Sequence, residues 1–276
     1  MTAPPAARRA VLPVGGHESI ATAGEAPADS PGGLPGEVHG PGRALRTALR
    51  DRPRAVAVPM TLGRDPGLAT SAGQTLAWAA RDRLPGDLLL AEPLGTVTHL
   101  VGWIRAAVTR VLRGGEFTGA VLLVAPAADP EADAELFKVA RLVWRYLPVR
   151  WVEVALTGGE PGVAEGVERC HRLGAGEVAL VPASLVPPPP CPGTVPSAGP
   201  LLGPAALTAL IRARAAEAER RWDRDGDDGL AAAAHHAHTH HHSHAHTHGG
   251  GHERHRHDAF PETTQRSLEG ATAHGG

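Results

Sequence analysis

Twelve of the seventeen histidines in this 276-residue chain fall within the 23 residues from His235 to His257. They are His235, His236, His238, His240, His241, His242, His244, His246, His248, His252, His255 and His257, and Ala, Thr, Ser and Gly supply most of the spacers. Neutral imidazole is the commonest protein ligand for divalent transition metals. Small spacers let a flexible chain wrap an ion with several rings in many registers. That suits labile, multi-site binding of cobalt, nickel, zinc or copper rather than one closed tetrahedral site. The run is irregular and nineteen residues follow it, which sets it apart from an expression tag. As pH falls through about 6.5 the same run becomes strongly cationic.

Three further residues carry chemistry by position. His17 follows the first apolar run, so it sits at the carboxyl end of a strand, facing the crevice where open α/β sheets bind ligands. Glu92 closes the run Leu88-Leu89-Leu90-Ala91 on the same rim, and His99 opens the next helix. A His17–Glu92–His99 cluster would suit cobalt or nickel. The plainer reading makes His17 a water-satisfied turn residue, Glu92 a helix cap and His99 an exposed side chain. His171 reads as a structural or solvent-facing mid-helix residue, and His39 carries no assignment. With Cys170 and Cys191 as the only cysteines and no CxxC pair, neither a disulfide framework nor a cysteine zinc or iron–sulfur site is supported.

These side chains need a frame. Short β-branched apolar runs alternate with helical periodicity, the pattern of an α/β fold with parallel strands. Strands are expected near Ala10–Gly15, Ala55–Met60, Asp87–Ala91, Gly119–Ala125, Trp151–Leu156 and Glu177–Pro182, with a weaker seventh near Thr194–Gly199. Helices are expected over Arg43–Asp51, Pro66–Arg83, Val97–Leu112, Pro130–Tyr146, Pro161–Leu173 and Pro204–Arg224. Four of them carry proline in the first turn, where its missing N–H costs nothing. With five Trp, three Phe and one Tyr, Ala, Val and Leu must build the core. A net charge of −2 excludes a general nucleic-acid-binding field. No apolar stretch matches a signal peptide or a membrane span, so a soluble, cytoplasmic protein without membrane or nucleic-acid partners is expected.

Two segments stand outside the core. Residues 18–42 are rich in Gly and Pro without hydrophobic period and read as a flexible linker. Residues 225–276 have too few large apolar side chains to offset the entropy of ordering and read as a disordered, His-rich metal-binding tail. The remainder repeats itself. Ala91-Glu92-Pro93-Leu94, with Leu100, Ile104, Arg105 and Ala106 after it, matches Ala198-Gly199-Pro200-Leu201, with Leu207, Ile211, Arg212 and Ala213, without a gap. Val56 to Leu62 echoes Val178 to Leu185 with one residue of slippage. Two matches in one order imply a duplicated α/β half, 1–115 and 116–224.

The order of parts resembles the class II tetrapyrrole chelatases, most closely the sirohydrochlorin cobaltochelatase family of cobalamin biosynthesis. The resemblance is carried by Gly16-His17-Glu18-Ser19 after the first strand, Val58-Pro59-Met60-Thr61-Leu62, and Pro93-Leu94-Gly95. In the second half it is carried by Asp129-Pro130-Glu131-Ala132-Asp133, Trp151-Val152-Glu153-Val154 and Gly174-Ala175-Gly176. It spans roughly residues 10–224. The family's second histidine has no counterpart, since Gly63-Arg64-Asp65 follows the Val-Pro strand and Ala125-Pro126-Ala127 stands at the matching turn of the second half. The sequence is thus that of a divergent member.

What the resemblance implies is a lyase with two chelatase-like α/β halves facing a cleft. It would insert a divalent metal, cobalt or nickel, into a sirohydrochlorin-like tetrapyrrole in cobalamin or siroheme biosynthesis. The metal is substrate, and no organic cofactor or nucleotide is implied, because no phosphate-binding glycine loop follows a strand. His17, the one residue matched to the family's site, would receive the metal and take a pyrrole proton; Glu92 matches no family ligand and would share the catalytic work by its place on the rim. Arg64 and Arg105 would pair with the substrate's carboxylates, while the tail would raise the local metal concentration. The missing second histidine supports a different reading, a metal chaperone or storage protein on a degenerate chelatase fold. A regulatory partner of a true chelatase is a further one.

Overall fold

The computed structural model describes residues 8–20, 37–113, 117–194, 198–231 and 233. Within them the chain alternates strongly: β1 (Ala10–Val14), α1 (Arg43–Leu49), β2 (Ala55–Pro59), α2 (Pro66–Ala79), β3 (Leu88–Leu90), α3 (Val97–Arg113), β4 (Ala120–Pro126), α4 (Pro130–Arg145), β5 (Val152–Thr157), α5 (Val163–Arg172), β6 (Val178–Pro182) and α6 (Pro204–Asp225). The strands form two parallel three-stranded sheets, ordered β1-β2-β3 and β5-β4-β6. Every residue of β2, β4 and β6 is buried. Both faces of these strands are covered by packed elements, so their sequences run as unbroken apolar stretches without period-2 alternation.

All six expected strands and all six expected helices are present, with ends shifted by a few residues. Pro161 is the exception among the helix-starting prolines: α5 begins at Val163, and the Pro161 carbonyl instead accepts the Leu156 N–H at 2.8 Å. The weak seventh strand does not form at Thr194, Ala198 or Gly199, and residues 195–197 lie outside the described residues. Even so, the Ala198 N–H donates to the Leu180 carbonyl at 3.1 Å, which lays this segment beside β6.

The repeat is visible in backbone hydrogen bonds. Met60 N–H donates to Val14 O at 2.7 Å, and Ala183 N–H to Val124 O at 2.8 Å. Ala10 bonds Arg54 as Ala120 bonds Glu177, and Ala91 bonds Ala57 as Ala198 bonds Leu180. Val14 also forms an isolated parallel bridge to His39, where Val124 pairs with Ala155 of β5. His39 therefore marks the place of a fourth strand in the first half, so the expected linker 18–42 ends in an ordered strand-like contact. Residues 21–36 of that linker lie outside the described residues.

Each half lends its last helix to the other: α3 packs on β6, and α6 on β2 and β3. One apolar core results, running from Val56, Met60 and Leu89 through Leu100 and Ile104 to Val121, Leu123, Val181 and Ile211. Each fully buried Leu or Ile in it contributes roughly 1.5–3 kcal/mol. The α4 start is set by Asp129, whose side chain accepts the Ala132 N–H at 2.8 Å, followed by Pro130 and acidic Glu131 and Asp133 in the first turn. At the other end, the packed chain continues beyond residue 225, the expected boundary of the tail. After Gly226 ends α6 in the left-handed region, Leu90 N–H donates to Asp228 O at 2.9 Å, and Leu230 and Ala233 pack against the α2 side of the first sheet. The histidine run lies outside the described residues.

Candidate functional site

Four strand ends converge where the halves meet. β1 ends at Val14 and leads into Gly15 and Gly16, where a side chain has no room: a Cβ on Gly15 would overlap Val38 and Ile20, and one on Gly16 would overlap Asp65 Oδ2. This close approach brings the Gly16–Ser19 turn against the turn that follows β2. Ser19 closes the first turn, its N–H donating to Gly16 O at 3.0 Å and its hydroxyl accepting from Gly16 N–H at 3.2 Å.

His17 projects from this turn with its side chain about one-fifth exposed, and its Nδ1 lies 3.3 Å from Asp65 Oδ2. Its Nε2 is buried and has no hydrogen-bond partner among the described residues, a state it shares with Glu18 Oε1 and Arg64 Nη1. A buried polar atom without a partner costs about 1–3 kcal/mol, and of these three Nε2 belongs to the only side chain that neither bridges the halves nor ties down a turn.

Glu18, next in sequence, is fully buried. One carboxylate oxygen, Oε2, accepts from the Thr61 hydroxyl, from Leu62 N–H at 2.9 Å and from Arg64 N–H at 3.2 Å. Thr61 in turn accepts from Gly63 N–H and Asp65 N–H at 3.0 and 3.3 Å. Glu18 thus replaces solvent for an entire turn, which is how a buried carboxylate is tolerated. Its backbone carbonyl accepts Leu185 N–H from the second half at 2.8 Å.

Arg64 completes the link between halves. Its side chain is inaccessible to solvent, and it donates through Nε to Ala132 O at 3.0 Å and through Nη2 to Asp133 Oδ1 at 3.3 Å. Burial pulls its pKa below the ordinary arginine value, with Glu18 and Asp133 pulling it back up. This corrects the expectation that Arg64 binds substrate: a guanidinium already committed to two acceptors inside the protein is a strut. Arg105 is exposed with its guanidinium over the Tyr146 ring at 5.3 Å.

The expected His17–Glu92–His99 cluster does not assemble. Glu92 is two-thirds exposed and paired with Arg221 at 3.4 Å, and Arg221 also donates to Leu90 O. His99 turns its Nδ1 to the Thr96 hydroxyl at 2.9 Å and stacks on Trp103, closing the first turn of α3. Among the described residues no three metal-capable side chains converge. His171 holds the Ala175 carbonyl at 2.9 Å, in the structural role expected of it.

Sequence reasoning missed Asp65 and Glu18. Asp65 precedes Pro66 and reads as an ordinary helix cap. Glu18 is visible only as a charged residue inside an otherwise small turn. Two surface grooves lie apart from His17: one of about 740 Å³ lined by Arg43, Arg46, Arg50, Trp78 and Arg83, and one of about 340 Å³ lined by Pro13, His39, Arg52 and Arg212.

Residues 120–187, from β4 through β6 and the loop after it, match the CbiX family. Over 68 residues the chain is 38% identical to the sirohydrochlorin cobaltochelatase of Priestia megaterium, covering 24% of this chain and 22% of that one. The match therefore spans about a fifth of that relative's length. Among solved structures, the sirohydrochlorin chelatase SirB from Bacillus subtilis subspecies spizizenii, in complex with cobalt, aligns with a TM-score of 0.46 at 14% identity, over 80% of this chain and 100% of that chain. The resemblance to class II chelatases read from the sequence is borne out over the CbiX segment.

Proposed function

We propose that this chain, with its CbiX segment as the frame, inserts a divalent metal into a sirohydrochlorin-like tetrapyrrole. The observation that carries the reading is His17: a histidine just after β1 whose Nε2 is buried and unpartnered among the described residues, where the turns that follow β1, β2, β4 and β6 touch. Metal insertion requires a site that first accepts the ion and then takes up a proton as the ion passes to the ring, which gives up two. A neutral imidazole can hold the ion and then take one of the two protons, the other leaving to solvent. Cobalt is the metal we favour, because the relative matched over 68 residues is named for it, and nickel is the comparison ion. The tail histidines supply metal at high local concentration, a tethering effect that raises occupancy without changing the chemical step.

One observation favours a second reading. Only His17 of the three expected ligands outside the tail sits at this junction, and no three metal-capable side chains converge among the described residues. A metal chaperone or storage protein needs the tail and not a catalytic cluster. Purified protein mixed with sirohydrochlorin and cobalt separates the two by the absorbance change of the macrocycle. The chelatase reading expects a rate above the protein-free control that survives removal of the tail once free cobalt is raised. A rate equal to the control, with stoichiometric cobalt bound by the tail, would establish the chaperone reading instead.

A further inference from the structure

Asp65 occupies the N-cap position of α2, yet its side chain makes no capping hydrogen bond. An N-cap aspartate that accepts from the first turn stabilises a helix by about 1 kcal/mol, and here that contribution is forgone. The carboxylate is instead turned back across the junction to His17 Nδ1, 3.3 Å away. Three features hold it there. Pro66 at the first helical position fixes the backbone that follows it. The Asp65 N–H is held by Thr61, itself bound to buried Glu18. Gly16 leaves the carboxylate space that any side chain would fill.

We infer that Asp65 is the positioning residue for His17: it keeps the ring proton on Nδ1 and so leaves Nε2 as the bare nitrogen. A free imidazole can carry its proton on either nitrogen, and a carboxylate beside one of them settles the choice and the ring orientation. The orphaned state of Nε2 is then explained, since a nitrogen without a proton needs a donor or a metal and finds no donor among the described residues. Asp65 lies in the stretch after the Val-Pro strand, where the resemblance calls for a second histidine. In this chain that stretch supports the first histidine and does not add a second ligand.

The inference rests on reading His17 as the metal-accepting side chain, and its test separates the two. Long-range proton–nitrogen NMR on the metal-free full chain reports which ring nitrogen carries the proton, with the His17 signals identified by their loss in His17→Gln. The expected result is a protonated Nδ1 and a bare Nε2, shifting toward protonated Nε2 in Asp65→Ala. Cobalt insertion by Asp65→Ala is expected to fall about 10–100-fold, the usual cost of losing such a support. Because Asp65 makes no cap bond, the variant should melt close to the parent. A protonated Nε2 in the parent overturns the inference even if Asp65→Ala fails to fold. So does an unchanged proton position or an unchanged insertion rate in the variant. A parent with the expected tautomer and no insertion activity would instead refute the chelatase reading and leave the role of Asp65 in orienting the ring intact.

Discussion

The two halves of this molecule share a backbone and a repeated apolar frame, and differ in the side chains at their strand ends. Val14, Pro59 and Ala91 hold the same hydrogen-bonding places in the first half as Val124, Pro182 and Ala198 in the second. Carrying this equivalence outward sets His17 against Ala127, Glu18 against Ala128, Thr61 against Ser184, and Arg64 and Asp65 against Pro187 and Pro188. The first half thus holds ionisable groups at the strand ends, and the second has methyl groups and proline rings in their place. The family signal lies wholly in the second half. The matched segment is one whose side chains build the frame, whereas the ionisable groups at the strand ends lie outside it. The buried strut from Arg64 to Asp133 shows what the second half still supplies: a fixed wall against which the first half's turn is held.

This contrast can be broken most severely at Arg64. Arg64→Met would take the buried cation away from Glu18 and break the bonds to Ala132 O and Asp133 Oδ1, and removing one charge from a buried ionic network costs about 3–5 kcal/mol. Pro187→Ala at the equivalent place in the second half should cost about 1 kcal/mol or less. Urea unfolding measures both, and equal effects would show that the halves are not differently built. Next comes the boundary of the tail. Truncation after Ala234 should leave the unfolding midpoint unchanged and remove most bound cobalt. Truncation after Gly226 also strips Leu230 and Ala233 from the first sheet's packing, at a cost of about 1–3 kcal/mol. Tail-dependent cobalt binding should fade as pH drops below about 6.5, because protons compete with the metal for imidazole.

The second half's one buried thiol should be inert. Burial pushes the Cys170 pKa up to about 11 from its ordinary value near 9. The folded state prefers the neutral thiol, so the stability this contributes is complete below pH 9 and is lost as pH rises toward 11. Alkylation at pH 8 should therefore label Cys191 well before Cys170. The smallest effect is expected at Glu92. Glu92→Gln breaks one exposed ion pair with Arg221, worth less than about 1 kcal/mol, and should leave cobalt insertion unchanged. A marked loss of insertion would return Glu92 to the site.

Element order was legible because parallel strands buried on both faces, such as Ala120–Pro126, leave unbroken apolar runs, and helices such as α4 announce themselves with Asp129-Pro130. The place of His17 just past a strand end was legible because the apolar run Ala10–Val14 stops at Gly15-Gly16. The rest was hidden for reasons of distance. The contact of Asp65 with His17 joins residues far apart in sequence, and an Asp before Pro is fully explained locally as a cap. Arg64 looked like a substrate clamp because nothing in its own neighbourhood reveals that Ala132 and Asp133 of the other half receive it. Glu92 and His99 were grouped by their place near one strand end. The helix α6, lent across the molecule, brings Arg221 to Glu92, and Thr96 turns His99 aside.

The central proposal is that the chemistry sits at His17 in the first half, on a backbone frame that the second half repeats. The most direct test is the initial rate of cobalt insertion into sirohydrochlorin by the full chain and its His17→Ala variant, at saturating free cobalt so that supply by the tail is not limiting. Removal of a group that acts on the transferred proton is expected to lower the rate by about 10²–10⁴-fold, with the variant still folded. Insertion by His17→Ala at the parent rate would contradict the account.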